Sequence, residues 1–231
     1  MTITLITGSN TGLGFEAARR LVALGHTVYL TARDAEKGRV AAAALGARFV
    51  QLDVTDHASV TRAAAELQRL EGKLDVLINN AGIAGPDTSP AEVTAAEART
   101  VFDTNVFGAM RVTQAMLPLL NESTAPVIVN VSSGLGSFGI VTDSARMESR
   151  YPSLSYSASK AAISMLTVQY AKAFPGLRVN AVDPGYTSTA LNGHNGTQTV
   201  TEGTDAMVRL ATISRDGPTG TFHDASGPIP W

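Results

Sequence analysis

Hydrophobic positions along the chain fall into two alternating kinds of segment. Short runs of β-branched and aliphatic residues predict seven strands, at Ile3–Thr7, Thr27–Thr31, Arg48–Gln51, Leu74–Asn79, Val127–Val131, Leu177–Val182 and Gly220–Phe222. Between these runs the apolar residues recur at helical spacing. In the first such stretch Leu13, Ala17, Leu21 and Leu24 share one face, and Gly25 supplies a stop just past its end. Further helices are predicted at Ala35–Leu45, Ser59–Leu70, an Ala-rich span around Ala95–Leu119, Ser155–Phe174 and Thr204–Ile213. Asp34, directly before Ala35-Glu36-Lys37, suits the N-cap of the second helix.

The strand runs are apolar throughout rather than alternating, which suits a parallel sheet buried on both faces. Strict strand–helix alternation then predicts the α/β class. The expected architecture is a single doubly wound Rossmann-type domain over residues 1–231, with a parallel seven-stranded sheet flanked by helices and right-handed crossovers. In sheets of this kind ligands bind beyond the carboxyl ends of the strands, so the chemistry is to be sought there.

Composition narrows the classes of function. With 44% hydrophobic and 16% charged residues the chain can bury a sizeable core, which excludes intrinsic disorder. Eighteen Lys plus Arg against twenty Asp plus Glu leave a net charge of −2, without the basic excess that a nucleic-acid or membrane-surface binder needs. The absence of Cys removes disulfides, thiol nucleophiles and thiolate metal sites. His26, His57, His194 and His223 show no metal-ligand spacing, and no metal is expected. No apolar run is long enough to span a bilayer, and Met1–Thr7 lacks the features of a signal peptide, so a soluble cytoplasmic protein is expected.

Four strings at strand ends carry candidate chemistry. The first strand runs into Thr7-Gly8-Ser9-Asn10-Thr11-Gly12-Leu13-Gly14, which opens the first helix. Glycines there let backbone approach a ligand, and a helix N-terminus offers free N–H groups to a pyrophosphate. The spacing G-x-x-x-G-x-G differs from the general dinucleotide fingerprint, and a plain tight turn gives the same string. Asn79-Asn80-Ala81-Gly82 can line an adenosine pocket or satisfy loop backbone, and Asn130-Val131-Ser132-Ser133-Gly134 puts hydroxyls on the same rim or is a common Ser/Gly loop. Tyr156 and Lys160 lie four apart on a predicted helix, on one face. An adjacent ammonium is expected to favour the phenolate and lower the Tyr156 pKa, making it a proton donor or acceptor near neutral pH. Packing is the alternative role for such a tyrosine.

Taken in order, Gly8-x-x-x-Gly12-x-Gly14, Asn79-Asn80-Ala81-Gly82, Asn105, Ser133, Tyr156-x-x-x-Lys160 and Pro184-Gly185 resemble the short-chain dehydrogenase/reductase family over about four-fifths of the chain. Glu202-Gly203 and the stretch from Gly217-Pro218-Thr219-Gly220 to Trp231 resemble its carbonyl-reductase branch. The resemblance implies hydride transfer between a nicotinamide cofactor and a carbonyl or alcohol. It makes Tyr156 the proton donor, has Lys160 lower the Tyr156 pKa and hold the nicotinamide ribose, sets Ser133 on the substrate oxygen, and gives Asn105 a water in the relay behind the lysine. It assigns Gly8, Asn10, Thr11, Gly12, Leu13 and Gly14 to the cofactor phosphates, and Asp53, Val54, Asn80, Ala81 and Gly82 to the adenosine side. Pro184, Gly185, Thr187 and Thr189 meet the nicotinamide amide, while Tyr156 and Lys160 also touch the cofactor.

Cofactor choice is expected to be NADP(H). The acid of NAD-using members aligns with Ala32, and Arg33 follows, where a guanidinium can clamp a 2′-phosphate. The rival readings are NAD-dependent alcohol oxidation, with Asp34 reaching the ribose, and a cofactor-binding sensor without turnover. Ser133 and Tyr156 are 23 residues apart, farther than in compact members, so the segment around 143–154 is expected to be an insertion beside the active site. The loop 186–203, rich in Gly, Asn and Thr over Ser188–Thr201, reads as a mobile substrate lid or an ordinary flexible loop. The expected partner is a small carbonyl or alcohol, with apolar ketones, aldehydes or quinones favoured by the predicted pocket walls. A homo-oligomer and a monomer both remain open.

Overall fold

The computed structural model describes residues 1–231. Strands β1 (Ile3–Ile6), β2 (Thr27–Ala32), β3 (Arg48–Gln51), β4 (Val76–Asn79), β5 (Val127–Val131), β6 (Arg178–Val182), β7 (Phe222–Asp224) and β8 (Gly227–Pro228) form one sheet in the order β3-β2-β1-β4-β5-β6-β7-β8. The pairs from β3 to β7 are parallel, and β8 is antiparallel to β7. The sheet therefore has eight strands where seven were expected, the extra one being a two-residue return that carries no periodicity of its own. The last parallel strand lies two residues beyond the expected start at Gly220, because Gly220 takes a left-handed turn (φ 67°) before pairing begins.

Alternate residues of each strand enter opposite cores. Leu5, Leu77, Ile128 and Val179 join one cluster of 18 buried residues; Ile6, Ile78, Val129 and Val182 join another of 19. The near-equal sizes are what continuous apolar strands demand, since neither face can be left wet. Helices α1 (Gly12–Ala23) and α2 (Ala35–Leu45) cover one face; α3 (His57–Glu71) packs on the other, where Leu67, Met116 and Leu119 meet the sheet. Asp34 caps α2 as its position suggested, its Oδ1 accepting from the N–H groups of Glu36 and Lys37 at 3.0 and 3.1 Å.

The Ala-rich span is not one helix. It divides into α4 (Ala95–Phe102), a π-helical turn at Asp103–Phe107 and α5 (Gly108–Asn121). The wide turn buries Asn105 and Val106, while Arg111 pairs with Asp103 at 2.5 Å across it. One extra residue in a turn leaves the apolar pattern on either side almost unaltered, so periodicity does not reveal it. Beyond β5 come the short α6 (Phe138–Val141) and a 3-10 turn at Met147–Arg150, then α7 (Leu154–Ala173); beyond β6 come α8 (Val200–Gly203) and α9 (Asp205–Ala211). No helix is long and apolar enough to cross a membrane.

Candidate active site

The strand order reverses between β1 and β4, so the loops leaving these neighbours part and open a crevice. Its floor is a knot of hydrogen bonds. Thr7 Oγ1 accepts from the N–H groups of Asn80 (2.9 Å) and Ala81 (3.0 Å), while Asn80 Nδ2 donates back to Thr7 O (2.9 Å) and Gly8 O (3.0 Å). Gly14 is required by this knot, since a β-carbon there would stand 2.6 Å from Asn80 Nδ2 and 2.8 Å from Ser9 Cα. Asn80 thus braces the glycine turn, which is the loop-backbone role that its string allowed beside an adenosine pocket. Gly8 and Gly12 have φ of 59° and 60°, conformations that side-chain-bearing residues rarely adopt.

Helix α1 starts at this turn with its N-terminus bare. Thr11 makes no side-chain cap bond, and no acid lies in the first turn. Arg33, at the end of β2, is exposed and belongs to none of the ion pairs; its backbone carbonyl accepts from Gln51 Nε2. Asp53 Oδ1 closes its own turn by accepting from Thr55 N–H and Oγ1, at 2.9 and 2.7 Å.

A second cluster lies across β4 and β5. Lys160 on α7 is buried and its Nζ donates to Val131 O at 2.8 Å. The same Nζ lies 5.5 Å from the centre of the Tyr156 ring. Asn105, turned inward by the π-helical turn, accepts from Ile83 N–H at 2.8 Å and donates to Ile83 O and Ser159 Oγ at 2.9 and 3.0 Å. A β-carbon on Gly82 would stand 3.3 Å from Asn105 Oδ1 and 3.7 Å from Lys160 Nζ, so the Asn80–Gly82 loop reaches this cluster too. Of the paired serines, Ser132 is fully buried and bonded to Lys160 O and Ser164, whereas the Ser133 hydroxyl accepts from Leu135 N–H at 3.2 Å and lies near enough to the Tyr156 hydroxyl to act on it.

The electrostatics depart from the expectation for Tyr156. Its pKa is not lowered: burial, then the nearby carboxylate of Asp183, push it up to about 12, against a smaller opposing effect of the Ser133 hydroxyl. Lys160 moves the other way, down to about 8, because burial penalises its charge more than Asp183 favours it. Both groups are drawn toward their neutral forms by desolvation, which outweighs their mutual influence. Tyr156 therefore holds its proton throughout the neutral range. Asp183, absent from the sequence-derived candidates, is itself raised by burial; the N–H groups of Gly185 and Gly134 work against that rise.

The rim on the far side is built from the loop after β6. Thr187 is buried, its Oγ1 donating to Pro184 O at 2.8 Å, and a bridge joins Thr187 to Gln198. The region 186–203 is tied down at its base rather than loose. Ser188 N–H donates to Gln198 O, Thr197 and Gln198 N–H donate to Tyr186 O, and Thr199 caps α8 with Glu202. α8 is fastened in turn to α1, through Thr201 Oγ1 to Glu16 and Arg20 to Thr201 O, Thr204 and Asp205. Beside α7, residues Pro86–Pro90 and Tyr151–Ser155 enclose a groove of about 280 Å³. Tyr151 and Leu154 of its lining are exposed, as are Phe138 and Met147 earlier in the chain and Tyr186 and Leu191 in the loop after β6.

Comparison with known proteins places the chain in a family. A family model described as short chain dehydrogenase matches residues 2–199. A (+)-neomenthol dehydrogenase of Capsicum annuum is 30% identical over 294 aligned positions, covering 94% of each chain, and salutaridine reductase of Papaver bracteatum is 31% identical, covering 98% of this chain and 95% of its own. Alignments longer than the 231 residues here mean that these plant enzymes carry segments this chain lacks. The structure of an NADPH-bound carbonyl reductase from chicken fatty liver superposes with a TM-score of 0.86 at 29% identity, over 100% of this chain and 98% of that one. Matched by family model over most of its length and by relatives nearly end to end, the chain is an enzyme of the short-chain dehydrogenase/reductase family of oxidoreductases.

Proposed function

We propose that the enzyme reduces a carbonyl, an apolar ketone, aldehyde or quinone, to the alcohol at the expense of NADPH. The observation that carries this reading is the convergence of the Ser133 and Tyr156 hydroxyls with the buried Lys160 ammonium, across the rim from a glycine turn whose helix end is uncapped. That turn suits a dinucleotide: its backbone can be approached closely, and the bare N-terminus of α1 favours a pyrophosphate. Gly8, Asn10, Thr11, Gly12, Leu13 and Gly14 would hold the phosphates. Asp53, Val54, Asn80, Ala81 and Gly82 would border the adenosine, and Arg33 would take the 2′-phosphate. Pro184, Gly185, Thr187 and Thr189 would face the nicotinamide. NADPH, when bound, supplies the hydride.

The chain's own residues manage the oxygen. Ser133 hydrogen-bonds the carbonyl oxygen and stabilises charge gathering on it. Tyr156, protonated at neutral pH, donates its proton to that oxygen. Lys160 would hold the nicotinamide ribose and keep positive charge beneath the tyrosine, while Asn105 fixes the Ile83 backbone and Ser159 behind them. Val93, Tyr151 and Leu154 give the groove an apolar part among polar neighbours, and the choice of an apolar substrate rests on them. The test is a panel of ketones, aldehydes and quinones assayed with NADPH and with NADH at matched concentrations. Turnover with NADPH is expected on apolar members; faster turnover with NADH overturns the cofactor choice, and cofactor binding without turnover on any carbonyl overturns the reductase.

A further inference from the structure

Gln198 stands out on the rim beyond β6. Its Oε1 is buried with no hydrogen-bond partner. A β-carbon on Gly185 would lie 2.4 Å from that oxygen and 3.1 Å from Cδ and Nε2, so the glycine leaves room for a carboxamide laid against the backbone at Pro184–Gly185. The placement is rigid: the backbone of Gln198 donates to Tyr186 O and accepts from Ser188, and the next residue opens the cap of α8. An orphaned buried acceptor costs free energy that only a donor can return. The neighbouring hydroxyl of Thr187 already donates its proton to Pro184 O.

We infer that Gln198 is a cofactor-positioning residue whose carboxamide pairs with the carboxamide of the nicotinamide ring. This rests on the proposed siting of that ring at Pro184–Gly185. Two carboxamides are complementary in either orientation, because each carries both donors and an acceptor. The pair would fix which ring face meets the substrate, and it would join the cofactor to the returning limb of the substrate loop.

The inference separates a nicotinamide effect from a general one. Gln198→Leu keeps the bulk and removes the orphaned acceptor. The dissociation constants of NADPH and of 2′-phospho-ADP-ribose, which lacks the nicotinamide, are to be measured by calorimetry on wild type and variant. NADPH is expected to weaken about tenfold while the fragment stays within about twofold. The unliganded variant is expected to melt no lower than wild type, since it buries no unmet acceptor. Equal weakening of both ligands, no change in either, or a clear drop in melting temperature overturns the role. Failure of both ligands to bind wild type instead overturns the cofactor reading beneath it, and the Gln198 role with it.

Discussion

The two sides of the crevice grip by different means. Around the glycine turn the ligand would meet backbone, left-handed glycines and an uncapped helix end, over a floor that the side chains of Thr7 and Asn80 knot together. Around β5 and α7 it would meet side-chain atoms, the hydroxyls of Ser133 and Tyr156 and the ammonium of Lys160, the last held by the buried Val131 carbonyl. A backbone site tolerates deletion of side chains and fails when one is added. A side-chain site fails on the loss of a single atom.

Tyr156→Phe puts that difference to its strongest test. It removes one oxygen, keeps the ring for packing, and is expected to cut the rate by about 10²–10⁴-fold with cofactor affinity nearly intact. Activity within a few-fold of wild type would place the proton donor elsewhere. Arg33→Ala comes next, as the side chain on the glycine-turn side expected to choose between cofactors. It should weaken NADPH by about 1.5–3 kcal/mol, the range for a hydrogen bond to a charged group, and leave NADH almost untouched. Equal losses for both would remove Arg33 from cofactor choice.

Gly14→Ala attacks the backbone side by addition. Its β-carbon collides with Asn80 Nδ2 and Ser9, so a loss of about 1–3 kcal/mol in denaturant stability and weaker cofactor binding are expected. A variant as stable as wild type would show that the floor yields. The mildest test is pH. Lys160, with its pKa drawn down to about 8, loses its charge above that point, while Tyr156 stays protonated toward 12. The kcat/KM for reduction should therefore fall on the alkaline side with a midpoint near 8, and a limb only above 10 would contradict the burial of the lysine.

Legibility from sequence followed the same division. Strand positions and the glycine turn were open to reading because apolar runs and glycine spacing act locally, and Asp34 announced its cap by standing directly before Ala35-Glu36-Lys37. The candidates Ser133, Tyr156, Lys160 and Asn105 were named on their motif, and the structure brings them within one cluster. Hidden were the features that need partners from distant segments. Asp183 matters because Gly134 and Tyr156 come to it, and Gln198 because the loop folds back on Gly185. The direction of the Tyr156 shift was misjudged because helical spacing reports the neighbouring cation and says nothing of how dry the pair is.

The antiparallel β8 has a consequence for how the molecule meets others of its kind. An unpaired outer strand is a template on which another chain can continue a sheet, the route to fibrils and insoluble aggregates. Here one outer strand is only two residues long and ends in Pro228, which has no N–H to offer. The opposite outer strand, β3, is only four residues long, and its first residue, Arg48, turns its guanidinium back onto Glu71 and Tyr29. With both borders short, the sheet offers another chain little backbone on which to continue it.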